Sequence, residues 1–276
     1  VVVLDREPLG WGASSRNGGM VIPELKASPA ELERHYGPIG PRMYAEANEA
    51  FDFVEATIAG DDGRCAIECD YERSGQLYLA HTPSHVAELR QQAAEHAALG
   101  EQARFVSKAR LSDEIGSKAF FGGVVFERTG GLHPARFHAG LASRAMAAGA
   151  QVVDRTGVTG LSRRRGRHRV ATTRGIVEAA DVIVATNAYA DAAIPALQRK
   201  VLPVGSYIIA TEVLDPAVAR RVSPTGRMMV DTKNFLFYWR LTPDGRMAFG
   251  GRRSLDPVDV PEARDFLYDS MMAIHP

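Results

Sequence analysis

The chain has 276 residues and no formal net charge, because 33 lysines and arginines balance 33 aspartates and glutamates. That balance excludes a field drawing it to nucleic acid or an anionic membrane, and no apolar run approaches the roughly 20 residues a membrane helix requires. The length suits one large core or two ordinary ones, so a cofactor domain with a substrate domain is the expectation.

The chain opens VVVLDREPLGWGASSRNGGM. β-Branched residues ending at Asp5 predict a strand with an acid at its carboxyl tip, where a carboxylate accepts hydrogen bonds from an adenosine ribose. Gly10, Gly12, Ala13, Ser14, Ser15, Arg16, Asn17, Gly18 and Gly19 then make a loop of small residues. Such residues let backbone N–H groups approach an anion, the serines add donors, and Arg16 adds a fixed positive charge. With Arg6 and Met20 at its margins, this stretch is the candidate cofactor site. A dinucleotide fold normally has a strand, a G-x-G-x-x-G turn and a helix before the acid-tipped strand. Gly10 and Gly12 do not supply that turn, since they follow the strand and the third glycine position is Ser15. The chain, which lacks an initiating Met, is expected to be a fragment cut at its amino end.

SPAELERHYG predicts a short helix capped by Ser28 with Pro29 at its first position. Tyr44, Ala47, Phe51, Val54 and Ile58 recur at helical spacing and predict a second helix with one buried stripe, ended by Gly60. CAIECDY and SGQLYLA predict two strands joined by a turn at Glu72 to Gly75. On one face of such a strand Cys65 and Cys69 lie about 13 Å apart, beyond disulfide reach. Reduced, buried thiols follow, which suits the cytoplasm. Thr82 and Pro83 start a polar helix with Val86, Leu89, Ala93 and Ala97 inward and Gly100 at its end.

Gly122 to Glu127 predicts a strand and Gly130 with Gly131 a turn. A helix from Pro134 follows, with Phe137, Leu141, Ala145 and Ala148 as its buried stripe. His133 before it either reaches a site or caps a turn. Short strands are predicted near 151–154, 157–162, 168–173 and 176–179. Asp181 to Ala185, apolar after its first residue, predicts a strand buried on both faces of a parallel sheet. It would carry Ala185, Thr186 and Asn187 to the carboxyl end of a central strand, where ligands of such sheets lie; a plain loop is the alternative. The basic run Arg163 to Arg169 contains Gly166 and no aromatic, so it reads as a solvated hairpin tip. Beyond Pro195, VLPVGSYIIATEVL, GRMMVDT and FLFYWRLTPDGRMAFGG predict β-structure with a hairpin turn at Pro243 to Gly245. A last helix runs from Pro261 to Ile274. Tyr238 and Arg240 stand two apart on a strand and share a face, so a phenol and a guanidinium can together hold a substrate carboxylate; a surface strand pair is the alternative. Arg252, in GGR, is a second candidate. The histidines show no metal-ligand spacing, and no H-E-x-x-H, C-x-x-C or G-x-S-x-G occurs.

GWGASSRNGGM, with VVVLD before it, resembles the flavin-proximal segment of FAD-dependent oxidoreductases of the D-amino-acid oxidase family. The resemblance is closest to the branch containing gamma-glutamylputrescine oxidase, and it extends with gaps over nearly the whole chain. It implies an α/β architecture, α+β overall, in which a Rossmann-like FAD-binding domain (1–59 and 128–200) interleaves with an antiparallel-sheet substrate domain (60–127 and 201–276). It implies that the first strand and glycine turn and a last flavin-contacting segment lie outside the chain. It also implies that Val158, otherwise an ordinary core valine, offers its backbone to the adenine edge, and it supports Tyr238 and Arg240 as groups facing the flavin. No Cys or His lies between Gly10 and Val21, so the FAD is expected to be non-covalent. The implied activity is oxidation of a C–N bond in an amine or amino acid by hydride transfer to flavin, with dioxygen or another acceptor taking the electrons. A flavin dehydrogenase of a hydroxy acid or polyol phosphate, and a non-catalytic truncated fragment, are the rival readings.

Overall fold

The computed structural model describes residues 1–23, 25, 27–252, 255 and 258–276. β1 (Val2–Leu4) runs into the glycine loop and β2 (Met20–Val21) leaves it. α1 (Pro29–Tyr36) follows Ser28, whose hydroxyl accepts the Glu31 amide at 3.2 Å while the Glu31 carboxylate accepts the Ser28 amide at 2.9 Å. This reciprocal box satisfies two amides that the helix start leaves without partners. α2 (Ile39–Ala59) buries Phe51 and Ile58 of the expected stripe and ends at Gly60, whose φ of 83° suits a residue without a side chain.

Residues 65–71 differ from the expectation of a strand. Ile67 and Cys69 are buried in alternation, but no residue of 65–71 joins a ladder among the described residues, and the nearest β-pairing is the isolated bridge from Glu72 to Gly131. Alternation chooses a face; a ladder also needs a neighbour. Both cysteines are free, and Cys65 is exposed, against the expectation of two buried thiols.

β3 (Gln76–Leu79), α3 (His85–Ala98), β4 (Ala103–Ser107) and β5 (Gly122–Phe126) come next. α3 turns Leu89 and Ala93 inward as expected but buries His96 in place of Ala97. The imidazole is tolerated there because its Nδ1 has Glu101 at 2.7 Å and the Tyr44 hydroxyl at 3.2 Å. The expected turn at Gly130 is instead β6 (Gly130–Gly131), antiparallel to β2. α4 (Pro134–Ala147) is capped by His133, which accepts the Arg136 amide at 3.5 Å. Its predicted stripe is only partly covered: Phe137 packs beside Ile67 and Leu132, while Leu141 is exposed.

β7 (Gln151–Val153) pairs in parallel with β1. β8 (Val158–Arg164), β9 (Arg167–Thr172) and β10 (Gly175–Ala179) make an antiparallel meander close to the predicted bounds. The basic run turns at its exposed tip, where Arg165 and Gly166 take φ of 50° and 80°. Asp181 to Ala185 is not the predicted central strand: it has no strand partner among the described residues, and Ile183 is 91% exposed. An apolar run becomes a strand only where a neighbour takes its N–H and C=O groups.

α5 (Pro195–Gln198), β11 (Tyr207–Ala210), α6 (Pro216–Val222), β12 (Met228–Asp231), β13 (Tyr238–Leu241), β14 (Met247–Gly251) and α7 (Val260–Ile274) complete the chain. The β13–β14 turn closes as expected, with the Thr242 amide donating to Arg246 and the Gly245 amide to Thr242, each at 2.8 Å. One seven-stranded sheet, in the order β11-β14-β13-β12-β3-β5-β4, draws on strands from 76–126 and from 207–251. It is mixed, because β12 and β3 run parallel where a wholly antiparallel sheet was expected. Trp239, Phe249, Leu77 and Met229 on one face pack with Leu267 and Met271 of α7, and Val124 and Phe126 on the other pack with Leu89 and Ala93 of α3. Beneath the β5 end, buried Glu114 holds Arg104 and, at 2.9 Å, Arg227. No helix among the described residues is long and apolar enough to cross a membrane.

Candidate functional site

β1 delivers Asp5 to the head of the glycine loop. The Asp5 amide donates to Val153 at 3.1 Å and its carbonyl accepts the Thr156 amide at 2.7 Å, so the backbone is held by β7 and the residues after it. Its Oδ1 accepts the Glu7 amide at 2.9 Å, and Oδ2 has no partner among the described residues. One carboxylate oxygen thus makes the turn and the other is left to accept.

The loop then folds on its own side chains. The Ser15 hydroxyl donates to the Gly10 carbonyl. The Asn17 amide group donates to Ala13 at 2.9 Å and Ser14 at 3.2 Å, while its Oδ1 accepts the Gly19 amide at 2.8 Å. Ser15 and Asn17 therefore act as braces within the loop. The backbone amides of Gly12, Ala13, Ser14, Arg16, Asn17 and Gly18 donate to no described residue. Successive free N–H groups around a small-residue turn form a concavity for an anion.

The loop's end is pinned to the sheet. Gly19 is buried at φ 65°, and a Cβ there would overlap the Leu132 carbonyl oxygen. The Leu132 amide donates to the Gly19 carbonyl at 2.8 Å, and Met20, half-buried, begins the β2–β6 pair with Gly131. From β13, Arg240 reaches across: Nε donates to the Gly18 carbonyl at 2.9 Å and Nη2 to the Leu132 carbonyl at 2.6 Å. Burial pulls this guanidinium below its ordinary range, with Asp70 pulling the other way. Tyr238 and Arg240 do share the face toward the loop, Trp239 pointing into the core behind it. Arg240 is 8% exposed and donates to these two carbonyls. Tyr238 stays half-buried, its ring against Gly18 and Gly250 and its hydroxyl 3.3 Å from Ser206. Arg252 is exposed just beyond β14.

The other side of the loop meets the turn after 185. Thr186 precedes a short 3-10 helix at Asn187–Tyr189, and Asn187 has φ 45°. Ala185, Thr186 and Asn187 are all exposed. Tyr189 packs where a Cβ on Gly12 would stand 3.4 Å away, and it lies edge-on to Trp11 with ring centres 6.2 Å apart. The Arg16 guanidinium covers Trp11 at 4.2 Å. Arg6 pairs with Asp191 at 2.8 Å, tying the strand tip to the same turn. Val158 opens β8 opposite Thr172, beside a bulge.

The sequence reading missed Trp11, Tyr189, Asp191 and Leu132. Tyr189 and Asp191 follow closely on the ATN segment singled out, and an aromatic near a glycine loop is a usable signal. Leu132 enters through its carbonyl, which leaves no mark in a sequence. A cradle with free amides and one uncommitted carboxylate oxygen fits a ribose joined to phosphates.

A protein-family model described as FAD dependent oxidoreductase matches residues 1–276. The chain is 32% identical over 262 residues to a probable oxidoreductase OrdL of Haemophilus influenzae, covering 92% of this chain and 59% of that one. It is 31% identical over 266 residues to the gamma-glutamylputrescine oxidoreductase of Escherichia coli, covering 94% of this chain and 61% of that one. The chain thus spans about three fifths of these relatives. Among solved structures, glycine oxidase from Geobacillus kaustophilus superposes with a TM-score of 0.74 at 18% identity, over 100% of this chain and 71% of that one. At that identity the likeness shows the fold.

Proposed function

The chain belongs to the family of FAD-dependent oxidoreductases whose model it matches from end to end, and from that premise we propose that it holds FAD and oxidises a C–N bond of an amine or amino acid. The observation that carries the reading is the meeting of the glycine loop with the face of β13, which sets Gly18, at the end of a loop whose amides at 12–14 and 16–18 donate to no described residue, against the Tyr238 ring. Two relatives whose names specify an amine or amino-acid substrate, gamma-glutamylputrescine oxidoreductase and glycine oxidase, support the substrate class.

In this reading Asp5 Oδ2 accepts from the ribose. The loop amides, the Ser14 hydroxyl and Arg16 meet the phosphates, with Arg6 and Met20 closing the loop's two ends. The Val158 backbone serves the adenine edge, and Ala185, Thr186 and Asn187 line the cofactor from the far side. FAD, when bound, supplies the two-electron acceptor for the substrate bond and passes the electrons to dioxygen or another acceptor. Tyr238 walls the substrate side, excludes water with its ring and offers its hydroxyl to a polar group; Arg252 offers a charge near the rim. Residues 1–59 with 128–200 act as the cofactor half, and 60–127 with 201–276 as the substrate half. The free thiols of Cys65 and Cys69 support a reducing, cytoplasmic setting.

The test is anaerobic addition of an amine and amino-acid panel, and of a hydroxy-acid and polyol-phosphate panel, to the FAD-loaded chain. Bleaching of the flavin band by a member of the first panel is expected. Bleaching by the second panel alone, or by neither, would overturn the reading.

A further inference from the structure

Arg240 is buried, and among the described residues no carboxylate lies within 4.0 Å of its guanidinium. Asp70 acts on it only from a longer range, and a buried cation with no acid in contact is costly and persists where hydrogen bonds compensate it. Here the compensation comes from two carbonyls on separate segments, Gly18 at the end of the glycine loop and Leu132 between β6 and α4. The slot is shaped by missing side chains: a Cβ on Gly19 would stand 3.0 Å from Nη2, and one on Gly131 would stand 3.2 Å from Nη1. Two segments, 18–19 and 131–132, therefore converge on one planar, forked donor carried by β13.

We propose that Arg240 is a positioning residue for the cofactor, locking the glycine loop to the substrate sheet by bridging the Gly18 and Leu132 carbonyls. The inference rests on the FAD reading above and assigns Arg240 to the loop in place of the substrate. Lysine cannot replace it, because a single ammonium lacks the fork that serves two carbonyls at fixed angles. With the bridge lost, the amides of 12–18 keep their chemistry and lose their fixed path.

The test compares the full chain with Arg240→Lys and Arg240→Met. FAD affinity is read by fluorescence titration, the flavin visible spectrum at saturation, and fold by circular dichroism and thermal midpoint. Both variants are expected to bind FAD about tenfold to a hundredfold more weakly, with a shifted flavin band and a smaller change in the KM for the amine. Unchanged affinity and spectrum with a raised KM would overturn the proposal and restore Arg240 as a substrate anchor. A wild-type chain that folds and takes up no FAD would instead sink the cofactor reading, and this inference with it. If neither variant folds, hydrogen exchange on the wild-type chain decides: FAD must protect 12–19 and 130–133 together, and protection confined to 12–19 would overturn the bridge.

Discussion

The ring of Tyr238 lies so close to Gly18 that a Cβ on the glycine would stand 3.0 Å from it. The glycine loop and the face of β13 are therefore in direct contact, and each constrains what the other can carry.

Gly18 and Gly19 are expected to differ under substitution. Gly19→Ala meets both a positive φ and the Leu132 carbonyl, which is backbone and cannot turn aside. It should destabilise the chain by about 2 kcal/mol or more. Gly18→Ala meets only a half-buried ring that can shift, so its cost should be smaller. Thermal midpoints of the two variants check the order, and equal losses would contradict it.

Tyr238→Phe keeps the ring against Gly18 and Gly250 and removes the hydroxyl beside Ser206. FAD affinity is expected to stay within about twofold, while the KM for the amine rises severalfold, the scale of one hydrogen bond of about 1 kcal/mol. A large loss of FAD affinity would mean that the hydroxyl serves the cofactor.

Asp5→Asn retains an acceptor for the Glu7 amide and removes the charge from the oxygen left without a partner. FAD should bind roughly tenfold more weakly, as expected when a charge-assisted hydrogen bond becomes neutral, with an unchanged thermal midpoint of the unloaded chain. Flavin titration and a melting curve check the pair of outcomes.

Burial against Trp239 holds the His275 imidazole down to about 4. In the unfolded chain the ring takes its proton near 6.5. Between these values the unfolded state binds more protons, so stability present above the unfolded value is lost as the pH falls toward 4. This group alone accounts for about 3 kcal/mol by that point. Urea midpoints of wild type and His275→Gln across the window should diverge, the wild type falling more steeply; parallel curves would contradict the assignment.

Local order was legible wherever a short rule sufficed. Ser28 and Pro29 specify the start of α1, Gly60 the end of α2, and Pro243 to Gly245 the last hairpin, because each contact spans only a few residues. The 158–179 meander was legible for the same reason. What failed depended on distant partners. Residues 65–71 and 181–185 carry strand-like patterns, but a ladder needs a neighbour that no local pattern guarantees. Within the candidate site, the residue types of the loop pointed to an anion cradle, and the shared face of Tyr238 and Arg240 followed from strand geometry. The destination of the Arg240 side chain did not, since its acceptors are backbone carbonyls 222 and 108 positions away.

The most direct measurement of the central claim is a structure determined with FAD bound to this chain. The account predicts the adenosine ribose within hydrogen-bond distance of Asp5 Oδ2 and the phosphates against the amides of 12–18, with the Arg240 bridge intact. FAD seated away from this loop, or a loop whose amides turn from the phosphates, would contradict it.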